Sequence, residues 1–166
     1  MRAALLSIPA GESGTFATLA VMRQVTRASL RIPIVRITAV AIVRTAGSSP
    51  EASAALIRAW LDEHTTFVRD PNGLELVTTP DRQLRQIAAM GAAPGDCDDV
   101  AVLGAALGLA VGLRARFAVV GRAQGFEHVF TALGDPAGRQ WWELDITRPA
   151  QDIPVALMQR TLSVEV

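Results

Sequence analysis

The sequence contains no lysine and no tyrosine, and it has a single cysteine, Cys97. Each absence removes a class of chemistry. With all 16 basic residues arginine, no lysine side chain is present to act as an amine donor. One cysteine cannot close an internal disulfide, so nothing favours an oxidising compartment. The arginines are scattered with no basic run, and they are balanced by 16 acidic residues to a formal net charge of zero. A nucleic-acid partner is therefore not expected. No stretch reaches the ~18 uncharged apolar residues of a membrane span, and no membrane partner is expected. The opening "MRAALLSIPAGESG" is interrupted by Pro9 and Glu12 and is too short for a secretory signal, so a cytoplasmic location is expected. CxxC and HxxxH spacings are missing as well, so neither a metal nor a cofactor is expected.

What is present is a chain of 166 residues, half of them hydrophobic and 19% charged. That suits one compact domain able to bury a core. "GTFATLAVMRQVTRASL" has helical periodicity, with Phe16, Leu19, Ala20 and Arg23 on one face and Ser13 or Thr15 as its cap. "IPIVRITAVAIVRTAG" is ambiguous: its β-branched residues favour a strand, while its arginine spacing and Gly47 fit a helix. "SSPEASAALIRAWLDEHTTFV" is clearer, with Ser49 as N-cap, Pro50 in the first turn, and Leu56, Ile57, Trp60, Leu61 and His64 on one side. "RDPNG" signals a turn and "LELV" a short extended piece. Thr79 and Pro80 open another short helix.

"CDDVAVLGAALGLAVGLR" is apolar on nearly every face, the pattern of a buried helix. The strands "RFAVVG", "EHVFTAL" and "QWWELDI" follow, separated by turns. The layout is α+β: N-terminal helices, one buried central helix, and a C-terminal antiparallel sheet. We read residues 1–166 as a single domain, with 1–48 a helical extension and 49–166 the core.

Cys97 sits among acids in "GDCDD", at the first turn of the buried helix, with Asp96 the expected N-cap. Lone cysteines are usually inert core residues. A reactive thiol needs a helix N-terminus and a nearby imidazole, and the imidazole needs a third group to orient it. The chain offers only His64 and His128. His64 reads as an ordinary residue on a half-buried helix face. Zinc binding by Cys97, His128 and aspartates lacks the expected spacing.

The segments "GDCDDVAVLGAALGLAVGLRARFAVVG", "FEHVFTAL" and "WWELDIT" resemble the core of the transglutaminase-like superfamily, over about residues 79–149. The upstream "FVRDPNGLELVTTPDRQL" resembles compact members found in bacteriophage and prophage genomes. The resemblance implies a papain-related fold, with Cys97 as nucleophile, His128 as general base and acid, and Asp145 as the carboxylate that orients His128. It also implies a peptide or protein substrate, with hydrolysis preferred to amine transfer. A non-catalytic role in assembly with phage structural proteins, including a virion-associated location, is a separate alternative.

Asp98 and Asp99 fall in the first turn, where the helix macrodipole favours negative charge. They oppose thiolate formation, so His128 must supply most of the activation and the thiol pKa should fall only modestly. Both acids are also candidates to bind a substrate amine or a cation. Trp141 and Trp142 are strand neighbours on opposite faces. One should fill the core, and the other should cover it or border a groove near His128.

Overall fold

The computed structural model describes residues 4–6, 11–70, 75–123, 125–147 and 160–166. Its elements run β1 (Ala4–Leu6), α1 (Glu12–Ser29), α2 (Pro33–Val43), α3 (Pro50–His64), β2 (Thr65–Phe67), β3 (Glu75–Val77), α4 (Pro80–Met90), β4 (Ala93–Gly95), α5 (Cys97–Ala110), β5 (Arg114–Arg122), β6 (Gly125–Gly134), β7 (Trp141–Leu144) and β8 (Arg160–Glu165). The class is α+β. The turn expected at "RDPNG" and the start of "LELV" fall partly outside the described residues.

The main sheet has four strands in the order β7-β6-β5-β8, every neighbour antiparallel. The short strands β1 and β3 pair antiparallel, and β2 and β4 pair parallel. The second pair ties the end of α3 to the segment just before α5.

α5 is buried from Asp98 through Gly108. Its run of Ala and Gly lets neighbours approach closely. A Cβ on Gly108 would lie 2.3 Å from Leu133 Cδ2, and one on Gly104 would lie 3.2 Å from Leu61 Cδ1. The buried Thr131 hydroxyl of β6 donates to the Ala101 carbonyl of α5 at 2.6 Å. That contact fixes which face of β6 meets α5: Val129, Thr131 and Leu133 face the helix. His128 and Phe130 alternate to the other face, where Phe130, Ala118 and Val120 form a small second cluster.

The ambiguous 33–46 segment is helical over Pro33–Val43. Ile32 is extended and Pro33 occupies the first turn, which pre-sets a helix start. Val35 and Ala39, both fully buried, then join the core cluster with α5 residues, and this packing overrides β-propensity.

Two expectations for α1 need correction. Its N-cap is Gly11, at φ 79°, with no side-chain cap, so neither Ser13 nor Thr15 caps it. Phe16 is 50% exposed; the buried stripe runs instead through Leu19, Met22, Thr26 and Ser29. The helical phase is shifted because Thr26 and Ser29 are satisfied internally. Their hydroxyls donate to Met22 O at 2.7 Å and Thr26 O at 2.6 Å, so polar residues enter the core without loss. Leu19, Met22, Val35 and Ala39, from the N-terminal 48 residues, belong to the same core cluster as residues of α3, α5 and the sheet.

For α3 the expected cap is present, with Ser49 Oγ accepting from Ala52 N at 3.1 Å. His64, at its C-terminal end, stacks on Trp60 with ring centroids 4.5 Å apart, and its Nδ1 lies 2.9 Å from Trp60 O.

Candidate functional site

Cys97 is the first residue of α5 and its thiol is half-buried. Asp96 is the N-cap by position, but its side chain makes no capping bond, and its Oδ1 is buried without a hydrogen-bond partner among the described residues. Positive helix-end character therefore reaches Cys97 without a cap carboxylate bonded across it.

His128 and Asp145 come together. His128 Nε2 lies 2.8 Å from Asp145 Oδ1, with the side chains 0% and 8% exposed. An ionised carboxylate only accepts, so Nε2–H donates and the other ring nitrogen, Nδ1, is left with its lone pair. Nδ1 is buried and has no hydrogen-bond partner among the described residues. β6 and β7 produce this pairing. Leu144 is in register with Thr131 and faces the core, so Asp145, the next residue, turns toward the face that carries His128.

Cys97 and His128 line one cavity of about 270 Å³, together with Asp98, Val119, Phe126, Glu127, Val129 and, from α1, Gly11, Gly14, Thr15, Thr18, Leu19 and Met22. The strand register shifts at Val120/Gly121, directly beside His128, and the local twist of such a bulge re-aims the strand end. Cys97 contributes to the lining from the start of α5 and His128 from β6. No hydrogen bond joins thiol and imidazole here, because Nδ1 is unpartnered. α1 was not foreseen as a wall. Its Gly-Glu-Ser-Gly start was legible as small and polar, but nothing in the sequence placed it against Cys97. Glu12 of α1 pairs with Arg160 of β8, and Arg160 sits 4.8 Å over the Phe126 ring, so the wall is pinned to the sheet.

The two aspartates after Cys97 separate. Asp98, 2% exposed, lines the cavity. Asp99, 3% exposed, turns away from it, and its Oδ1 accepts the Thr78 backbone N–H at 2.6 Å. Gln83 Nε2 completes the lock, donating to Asp99 O at 2.9 Å and Thr78 O at 3.0 Å. Burial, with added repulsion from Asp96 and Asp70, pushes the Asp99 carboxyl up to about 7 against the Thr78 hydrogen bond. Asp96, Asp98 and Asp99 each offer an oxygen within 4.8 Å of the others, the one group of possible cation ligands among the described residues.

The tryptophans are elsewhere. Trp141 and Trp142 are in register with Gly134 and Leu133, toward the opposite end of β6 from His128. Trp142 packs half-buried against the main core. Trp141 covers Gly134, with the Arg116 guanidinium 4.2 Å from its ring centroid. Neither is among the residues lining the cavity; of the two roles expected for the second tryptophan, covering the core or bordering a groove, Trp141 takes a covering position over Gly134.

No family model matches the chain, and no curated protein does. A solved structure from Parabacteroides distasonis, described as a "putative protease", matches with a TM-score of 0.64 at 14% identity, over 90% of this chain and 30% of that one. At this identity the likeness is one of fold, and the chain spans under a third of that protein's length.

Proposed function

We propose that the chain carries out cysteine-dependent acyl transfer, with hydrolysis of an amide or peptide bond as the reaction. The observation that carries this reading is the buried His128–Asp145 pair, whose unpartnered Nδ1 belongs to a residue lining the same cavity as Cys97. The fold likeness to a "putative protease" supports the same reaction class.

In this reading Asp145 holds the imidazole with the proton on Nε2, so Nδ1 acts as the base. The step requires the imidazole to turn from the sheet face it shares with Phe130 toward the start of α5; Cys97 Sγ then transfers its proton to Nδ1 and attacks the substrate carbonyl. The new S–C bond forms as the carbonyl electrons move onto oxygen, where the α5 N-terminus offers stabilising dipoles. Collapse breaks the C–N bond, His128 protonates the leaving amine, and water releases the acyl group by the same route in reverse. Catalytic hydrogen bonds are often unmade before substrate binds, so the separate thiol and imidazole are compatible with this sequence of steps.

The test is the rate of Cys97 alkylation by iodoacetamide against pH, read by intact mass, with His128→Ala as control. We expect a reactive plateau reached below the ~8.5 of a free thiol, and its loss in His128→Ala. Asp145→Asn should weaken it less. A slow thiol indifferent to His128 would overturn the proposal.

A further inference from the structure

Charge is partitioned along this chain, although its total is zero. Between Glu12 and Glu51 there are five arginines, Arg23, Arg27, Arg31, Arg36 and Arg44, and no acidic residue. The rest of the chain holds 11 arginines against 16 acids. All five residues are exposed. The ion pairs that arginines make among the described residues use Arg114, Arg122, Arg139 and Arg160, all outside this segment. Glu12, the acid at one border, is itself taken by Arg160.

Helical spacing turns these charges outward. Arg23 and Arg27 of α1, and Arg31 just beyond it, follow at four-residue steps on the side away from buried Leu19, Met22 and Thr26. On α2 the buried residues are Val35 and Ala39. Arg36, Ile37, Val40 and Arg44 fall on the opposite side, within an arc of about 100°. Ile37 is 67% exposed and Val40 49%, so this outward face mixes aliphatic side chains with guanidinium groups. The link between the helices is hydrogen-bonded, Arg31 N–H to Ala28 O at 3.4 Å and Ile32 N–H to Ser29 O at 2.9 Å. Both helices pack their inner faces on α5, so the outward face is held by the core.

We infer that this face docks on an anionic lipid bilayer, with Arg31, Arg36 and Arg44 at the headgroup phosphates and Ile37 and Val40 at the acyl boundary. Charge complementarity carries the choice of partner: the surface is wholly cationic, and guanidinium groups bond phosphate oxygens bidentately. Arginine stems lie along apolar surface while their heads reach the polar layer, which suits aliphatic residues set between them. Nucleic acid is disfavoured, because bases stack on aromatic rings and α2 has none. A stable protein interface hides about 800 Å² per partner around an apolar centre, whereas here the apolar side chains alternate with charges. That no helix is long and apolar enough to cross a membrane bears on crossing a bilayer, not on resting at its surface. None of these five side chains lines the Cys97 cavity, and the inference does not depend on the acyl-transfer reading.

The test is co-sedimentation of the full chain with phosphatidylcholine vesicles, and with vesicles in which a third of that lipid is phosphatidylglycerol. Binding to the anionic vesicles should be at least about tenfold stronger at low salt, and should fall steeply in 0.5 M salt. Arg36→Gln with Arg44→Gln should weaken it about twentyfold, roughly fivefold for each charge. Arg122→Gln with Arg139→Gln removes the same charge from the sheet end and should change binding by less than about threefold. Ile37→Ser with Val40→Ser should weaken binding several-fold with no change of charge. The α2 positions are exposed, so the thermal midpoint should stay unchanged in both α2 variants.

Equal binding to both vesicle types, or to neither, overturns the inference and needs no variant to fold. Equal losses from the α2 and sheet-end arginine pairs also overturn it, since net charge alone would then explain the attraction. Duplex DNA that displaces the chain from anionic vesicles at equal phosphate concentration assigns the face to nucleic acid instead. A dimer seen by light scattering, and dissolved by Ile37→Ser with Val40→Ser, assigns it to a second copy; either result overturns the lipid assignment.

Discussion

The first turn of α5 and its later turns obey different rules, although both are buried. The first turn packs a thiol and two carboxylates beside a third at its cap, at the cost of raised carboxyl pKa and an unpartnered Asp96 oxygen. The later turns, Val100 to Gly108, contain no polar side chain and approach Leu61, Leu133 and Leu144 at van der Waals distance. A single helix thus carries strained polarity at one end and close-packed apolar surface at the other. The apolar end can hold the polar end in place because it has no hydrogen-bonding demands of its own.

The largest test of that contrast is Asp99→Asn. The folded pKa of Asp99 is raised from 3.8 to about 7, so the native state binds more protons than the unfolded state between those values. Stability should therefore be fullest below pH 4 as far as this group is concerned, and should fall as pH rises toward 7. The loss is at most about 4 kcal/mol, from roughly three units at 1.36 kcal/mol each. Asparagine keeps an acceptor for Thr78 N–H and cannot ionise. Urea midpoints at pH 5 and pH 8 should converge in Asp99→Asn, and an unchanged pH slope would remove Asp99 from this role.

At the other end, Gly108→Ala places a methyl against Leu133, which is fully buried and has little room to move. We expect a loss of about 1–2 kcal/mol despite the better helix propensity of alanine, independent of pH. A gain in stability would show that the sheet face repacks freely. Ser49→Ala on α3, remote from both ends, should cost about 1 kcal/mol through the lost cap. Smallest of all, Arg122→Ala breaks an exposed pair with Glu127 and should change stability by about 0.5 kcal/mol or less.

The same division explains what was legible in the sequence. The apolar end of α5 announced itself by composition, and its start at Cys97 followed from the acids and the glycine before it. β5, β6 and β7 were readable because alternation and turn residues are local signals. Ser49 was readable for the same reason. Non-local packing was not: the helix at Pro33–Val43 depends on burial of Val35 and Ala39, and the phase of α1 depends on internal bonds at Thr26 and Ser29. The residues Cys97, His128 and Asp145 were named from the sequence, and the structure pairs the last two. That α1 would wall the cavity, or that the tryptophans would lie away from it, depended on register between strands, which no local pattern encodes.

The Thr131 hydrogen bond to Ala101 has a consequence of its own. It is a datum point, from which positions along the helix and along the strand are both measured. His128 is indexed from it along β6, and Cys97 along α5. Lengthening the turn between β6 and β7 leaves both distances intact. Inserting one residue between His128 and Thr131 does not, because it turns the imidazole to the helix side of the sheet and away from Asp145.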